Sequence, residues 1–139
     1  MFESRTLGHT IRMIMSFAQQ GNAGVGQAIA YYTSQGYTVS IPLNDTQKYD
    51  LIVDDGESLK RVQVKTTTHV KPSGFYGVTL KTSGSNRSRT RIYPYDHSAS
   101  EELFVYCSNG DRYLIPNGSF DARSELTLGD RYSEFKLEQ

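Results

Sequence analysis

Strict alternation of apolar and polar residues in "KYDLIVDDGESLKRVQVKTT", residues 48–67, constrains the fold more than any other feature of the chain. Leu51 and Val53 take one side of an extended segment, while Asp50, Ile52 and Asp54 take the other. Val62 and Val64 repeat the pattern, with Arg61, Gln63 and Lys65 opposite. A period of two suits strands and not a helix. "DDGES" supplies the turn, Gly56 being the residue that tolerates positive φ. Antiparallel pairing places the start of the first strand beside the end of the second. Asp50, Gln63 and Lys65 then gather at the open end, away from the turn.

That trio is a small but coherent chemical set. A hard cation such as Mg²⁺ (or Mn²⁺) takes oxygen ligands, commonly one or two carboxylates, with waters and phosphate oxygens completing the shell. Asp50 offers a charged oxygen, the Val64 carbonyl a neutral one, and the Gln63 amide a third. Lys65 can hold a phosphate or handle the proton of an attacking water. The same residues also fit the polar face of a solvated hairpin, so the motif alone leaves both readings open.

The preceding segment, "GVGQAIAYYTSQGYTVSIPLNDTQ", reads as a helix with Ala28, Ile29, Tyr31 and Tyr32 on its apolar side. Gly36 follows as the helix stop, and Tyr37, Val39 and Ile41 alternate as a short strand ending at Pro42. Further upstream, Leu7, Ile11, Ile14, Met15 and Ala18 predict a first helix that stops near Gly21. Downstream, strands are expected around Leu103–Cys107 and Tyr113–Ile115, followed by the turn-rich "PNGSFDARSE".

The stretch from Gly24 to Thr67, with its "GY-x-V" strand, "YD" strand and final x-Lys strand, resembles the core of the PD-(D/E)XK nuclease superfamily. "YDLIV…RVQVKTT" is most similar to the group I intron-encoded homing endonuclease branch, in which Gln replaces the second acid. "EELFVYCSNGDRYLIP" resembles a later hairpin of that branch. The resemblance implies a restriction-endonuclease-like α/β (α+β) domain, a central mixed sheet flanked by helices. It implies a metal-dependent, site-specific endonuclease acting on double-stranded DNA. Asp50 would be the metal-binding acid, Lys65 the catalytic lysine and Gln63 the second-acid position. Gln27 matches the helix position usually held by Glu. Two amides in place of carboxylates imply weak metal binding unless Asp54, Asp55 or Glu3 lies close. They also keep open a DNA-binding module that has lost cleavage, and the shared core keeps open a Holliday-junction or branched-DNA resolvase.

Charge along the chain supports a nucleic-acid partner. Fifteen basic and fifteen acidic residues cancel overall, yet no Asp or Glu occurs from Lys60 to Tyr95. That window holds Lys60, Arg61, Lys65, Lys71, Lys81, Arg87, Arg89 and Arg91. Such segregation is expected of a phosphate-binding surface. Lys71, Lys81, Arg87, Arg89 and Arg91 are the expected DNA contacts, and the last three alternate so that an extended chain aligns them. Tyr76, Tyr93 and Tyr95 lie beside them.

The remaining motifs exclude more than they suggest. His9, His69 and His97 with the single Cys107 give no zinc spacing, and "GNAGVG" lacks the Lys-Ser/Thr of a phosphate loop. At 139 residues the chain is read as one domain. No signal peptide, membrane span or disulfide framework is evident, so an intracellular, cytoplasmic setting is expected. One small domain recognising a long duplex site predicts a homodimer or homotetramer.

Overall fold

The computed structural model describes residues 16–44, 46–86 and 89–138, without the side chains of 83–86, 89 and 90. The first helix, α1 (Phe17–Ser34), begins at an N-cap: Gln19 N–H donates to Ser16 Oγ at 3.1 Å, and Ser16 N–H to Gln19 Oε1 at 2.8 Å. This capping box satisfies two otherwise unpaired donors. α1 ends at Gln35, where Gly36 takes φ 88°.

The helix runs unbroken through Gly21, which corrects the expected stop there. Leu7, Ile11, Ile14 and Met15 lie outside the described residues. Packing explains the glycine at position 24. Gly24, Ala28 and Tyr32, four residues apart, form the buried stripe of α1. A Cβ at Gly24 would stand 2.1 Å from Thr66 Oγ1 and 3.3 Å from Val64 Cγ1. Glycine therefore lets α1 lie directly on the sheet, and Thr66 Oγ1 donates to the Gln20 carbonyl at 3.1 Å across the contact.

The sheet holds five strands in the order β1-β2-β3-β7-β8, formed by Thr38–Ser40, Leu51–Asp54, Leu59–Thr67, Glu102–Cys107 and Arg112–Pro116. All neighbours are antiparallel except β3 and β7, so the sheet is mixed. The restriction-endonuclease-like α+β architecture is as expected. Leu51, Val53, Val62, Val64 and Phe104 face α1 with Ala28 and Tyr32. Leu103, Val105, Cys107 and Ile115 face the other way.

That second face is covered differently from the expectation of flanking helices. Among the described residues it meets a two-stranded sheet of β4 (Tyr76–Thr79) and β9 (Glu125–Leu128), with Val78, Leu80, Leu126 and Leu128 buried. Each such side chain contributes roughly 1.5–3 kcal/mol by leaving water. Cys107 lies in this core, its thiol pushed up to about 12 by burial. Two further strands, β5 (Thr82–Asn86) and β6 (Arg89–Tyr93), pair only with each other. The "PNGSFDARSE" stretch opens as a 3-10 turn over Asn117–Ser119, and a second covers Asp130–Phe135. No described helix is long and apolar enough to cross a membrane.

Candidate active site

Register brings the expected trio together. Leu51 pairs with Val62, and Asp50 N–H donates to the Val62 carbonyl at 2.8 Å, which sets Asp50 opposite Gln63. Asp50 Oδ2 accepts from the Val64 N–H at 2.8 Å and from Gln63 Nε2 at 2.9 Å. Gln63 Nε2 also reaches the Val64 carbonyl at 3.4 Å. Two hard oxygens, from Asp50 and Val64, thus bracket a single polar hydrogen-bearing group. That cradle fits a small divalent cation: Asp50 and Val64 would hold it, and a turn of the amide would offer Gln63 Oε1 in place of its nitrogen.

The electrostatics couple Asp50 to Lys65. Burial raises the Asp50 carboxyl above its ordinary range, opposed by the Val64 N–H bond and by Lys65. Burial lowers the Lys65 ammonium, opposed by Asp50. A lysine moved toward neutrality beside a half-buried carboxylate is suited to exchanging a proton with a water molecule.

Asp54 and Asp55 do not join the site. Asp54 accepts from the Gly56 N–H at 2.8 Å, while Asp55 accepts from Glu57 and Ser58 at 2.8 and 2.9 Å. Both cap the turn at the far end of the hairpin, and Glu3 lies outside the described residues. Nor is Gln27 joined to it by any hydrogen bond among the described residues. It belongs to α1, which covers the Val62 and Val64 face, whereas Gln63 and Lys65 occupy the alternate positions of β3. Described residues form no cluster of three or more His, Cys, Asp or Glu suited to a metal.

Gln63 and Lys65 open into a cleft of about 520 Å³. Its other walls come from Thr46, Gln47 and Lys48 before β2, from Leu80 and Thr82, and from Tyr93–Asp96 after the β5–β6 hairpin. Lys48 and Asp96, which the sequence motifs did not single out, form an ion pair of 3.6 Å there.

Folding thins the basic window. Lys60 pairs with Glu102 at 3.5 Å, Arg61 with Glu101, and Lys71 with Glu125 at 2.9 Å. These acids come from later in the chain, and the parallel register Val62↔Glu102 delivers the first two. Lys71 also donates to Thr127 Oγ1 at 2.9 Å, so it is committed to β9. Lys81 and Arg91 are exposed, with no ion pair among the described residues. Arg87 lies outside the described residues; Arg89 and Arg91 both belong to β6. Tyr76 hydrogen-bonds Ser108 at 2.9 Å, and Tyr95 is buried against Asn117. Tyr93 is half-exposed in the cleft wall.

Comparison with known proteins places the chain in a family and beside a solved structure. The family described as PD-(D/E)XK endonuclease matches residues 15–133. The solved structure of the bacterial homing endonuclease I-Ssp6803I is similar at a TM-score of 0.71 and 27% identity, over 84% of this chain and 80% of that one. No curated protein sequence matches.

Proposed function

Since the chain belongs to the PD-(D/E)XK endonuclease family and is a nuclease by descent, we propose that it is a Mg²⁺- or Mn²⁺-dependent, site-specific endonuclease of double-stranded DNA. The observation that carries this reading is the convergence of Asp50 Oδ2 and the Val64 carbonyl on the Gln63 amide, with Gln63 and Lys65 lining an open cleft. When bound, the divalent ion supplies positive charge for the phosphate and acidifies a water. Asp50 and Val64 would hold it, with the Gln63 amide oxygen as a third donor. Lys65 takes a proton from the attacking water or carries charge to the phosphate. Gln27 stays at the periphery. The exposed Lys81, Arg91 and the β5–β6 hairpin, with Arg87 and Arg89, grip the duplex.

The direct test is incubation with supercoiled and linear DNA and either metal. Cleavage should occur in the wild-type protein and fall by at least about a thousandfold in Asp50→Ala and Lys65→Ala. Cleavage that survives both substitutions removes these roles. A homodimer or homotetramer would set two such sites on opposite strands. Light scattering with and without DNA tests it, and a strict monomer in both refutes it. Cleavage of four-way junctions in preference to every duplex would favour a resolvase, and salt-dependent binding without nicking a DNA-binding module.

A further inference from the structure

The catalytic cleft does not end at Lys65. A second depression of about 270 Å³ shares Lys48, Tyr93, Pro94, Tyr95 and Asp96 with it and adds His97 and Arg123. The two form one continuous groove that carries Lys65, then Lys48, then Arg123. Arg123 is exposed and has no ion pair among the described residues. Lys48 is 72% exposed and meets Asp96, 42% exposed, at 3.6 Å. An ion pair that long and that open contributes little and separates readily. Asp96 is nonetheless fixed in place, because its Oδ1 accepts from Ser98 N–H at 3.0 Å and Ser98 Oγ at 2.6 Å. The groove therefore presents a loosely held cation opposite a rigid anion, two residues before Asp50 in the chain.

We propose that Lys48 and Arg123 form a phosphate track leading away from the catalytic site, in which Asp96 occupies Lys48 until a DNA phosphate replaces it. This rests on the nuclease reading and extends it, for neither cation lies in the β5–β6 hairpin or the acid-free window. A strand cut at Lys65 continues along the groove, with its flanking phosphates at Lys48 and Arg123 and a sugar or base face against the half-exposed Tyr93.

Fluorescence anisotropy of a duplex, over a salt series without metal so that cleavage is silent, provides the test. Lys48→Ala and Arg123→Ala should each weaken binding several-fold and lower the slope of log Kd against log salt by about one. Lys48→Arg should restore affinity. Asp96→Asn keeps an oxygen acceptor for Ser98 but frees Lys48, so it should bind DNA about two- to fivefold more tightly. Unchanged affinity and slope in Lys48→Ala and Arg123→Ala, or weaker binding by Asp96→Asn, overturns the track. Absence of DNA binding by the wild-type protein would instead strike the nuclease reading itself.

Discussion

Replacing Gln63 by Glu reverses the electrostatics of the site at one atom. In the wild-type chain Gln63 Nε2 donates to Asp50 Oδ2 at 2.9 Å and lies 3.4 Å from the Val64 carbonyl. A glutamate oxygen in that position faces the Asp50 carboxylate with no donor between them. Unit charges roughly 4 Å apart repel by about 4 kcal/mol at an effective dielectric near 20. Outward rotation and proton sharing relieve part of this, leaving an expected loss of about 1–3 kcal/mol near neutral pH. For a domain of this size that is a fall in Tm of roughly 3–10 °C. Burial already holds the Asp50 carboxyl above its ordinary range, and a second carboxylate pushes the pair further. A carboxyl whose folded pKa lies above its unfolded value has its stabilising effect in full below the unfolded pKa and loses it as pH rises through the folded one. The variant should therefore approach wild-type stability as pH falls toward about 4, the unfolded carboxyl value, and fall behind at about pH 7. Mg²⁺ or Mn²⁺ bound between the two carboxylates would offset their repulsion, so metal should raise its Tm more than it raises that of the wild type. Differential scanning fluorimetry at both pH values, with and without metal, reads all of this. A deficit equal at the two pH values, or a metal shift no larger than the wild type's, refutes the cradle.

Other expectations follow from the same geometry. Because burial lowers Lys65, its charged form opposes folding, and stability should rise with pH through the folded pKa toward the unfolded one. Lys65→Met should accordingly be more stable than the wild type below that pKa, by about 1 kcal/mol in thermal melts, while losing cleavage. If Lys65 acts as the base, single-turnover cleavage should climb with pH until Lys65 is neutral, and Lys65→Arg should lose that rise. Gly24→Ala drives a Cβ to 2.1 Å from Thr66 Oγ1 and should cost about 1–3 kcal/mol in urea denaturation. Gly24→Ala combined with Thr66→Ala should cost at least about 0.5 kcal/mol less than the two separate losses added together. Lys71→Ala should leave DNA affinity within about twofold, since Lys71 is already bound to Glu125 and Thr127, whereas Arg91→Ala should weaken it several-fold.

What was legible in the sequence was what short-range alternation decides. Asp50 and Gln63 meet because one tight turn and a period of two set their register, and no distant contact is needed to place them. β7 is legible instead as a continuous apolar run, buried on both faces of the sheet. At Gly21 intrinsic propensity disfavours a helix, yet α1 runs through it because the Ser16 capping box starts the helix earlier and the Gly24, Ala28 and Tyr32 stripe seats it on the sheet. β4 and β9 are not legible because each finds its partner far along the chain, so neither carries a local hairpin signal. The availability of the basic surface is half legible, and the reason lies in the acids. Lys60, Arg61 and Lys71 stand in an acid-free window of sequence, yet the parallel return of β7 and the pairing of β9 with β4 set Glu102, Glu101 and Glu125 against them. Lys48 too is met by a distant acid, Asp96, but at 3.6 Å and with its side chain 72% exposed it stays open to the cleft. The sign of a side chain's charge is written in the sequence. Its availability to a phosphate depends on which carboxylate the fold places opposite, and that is decided by long-range pairing.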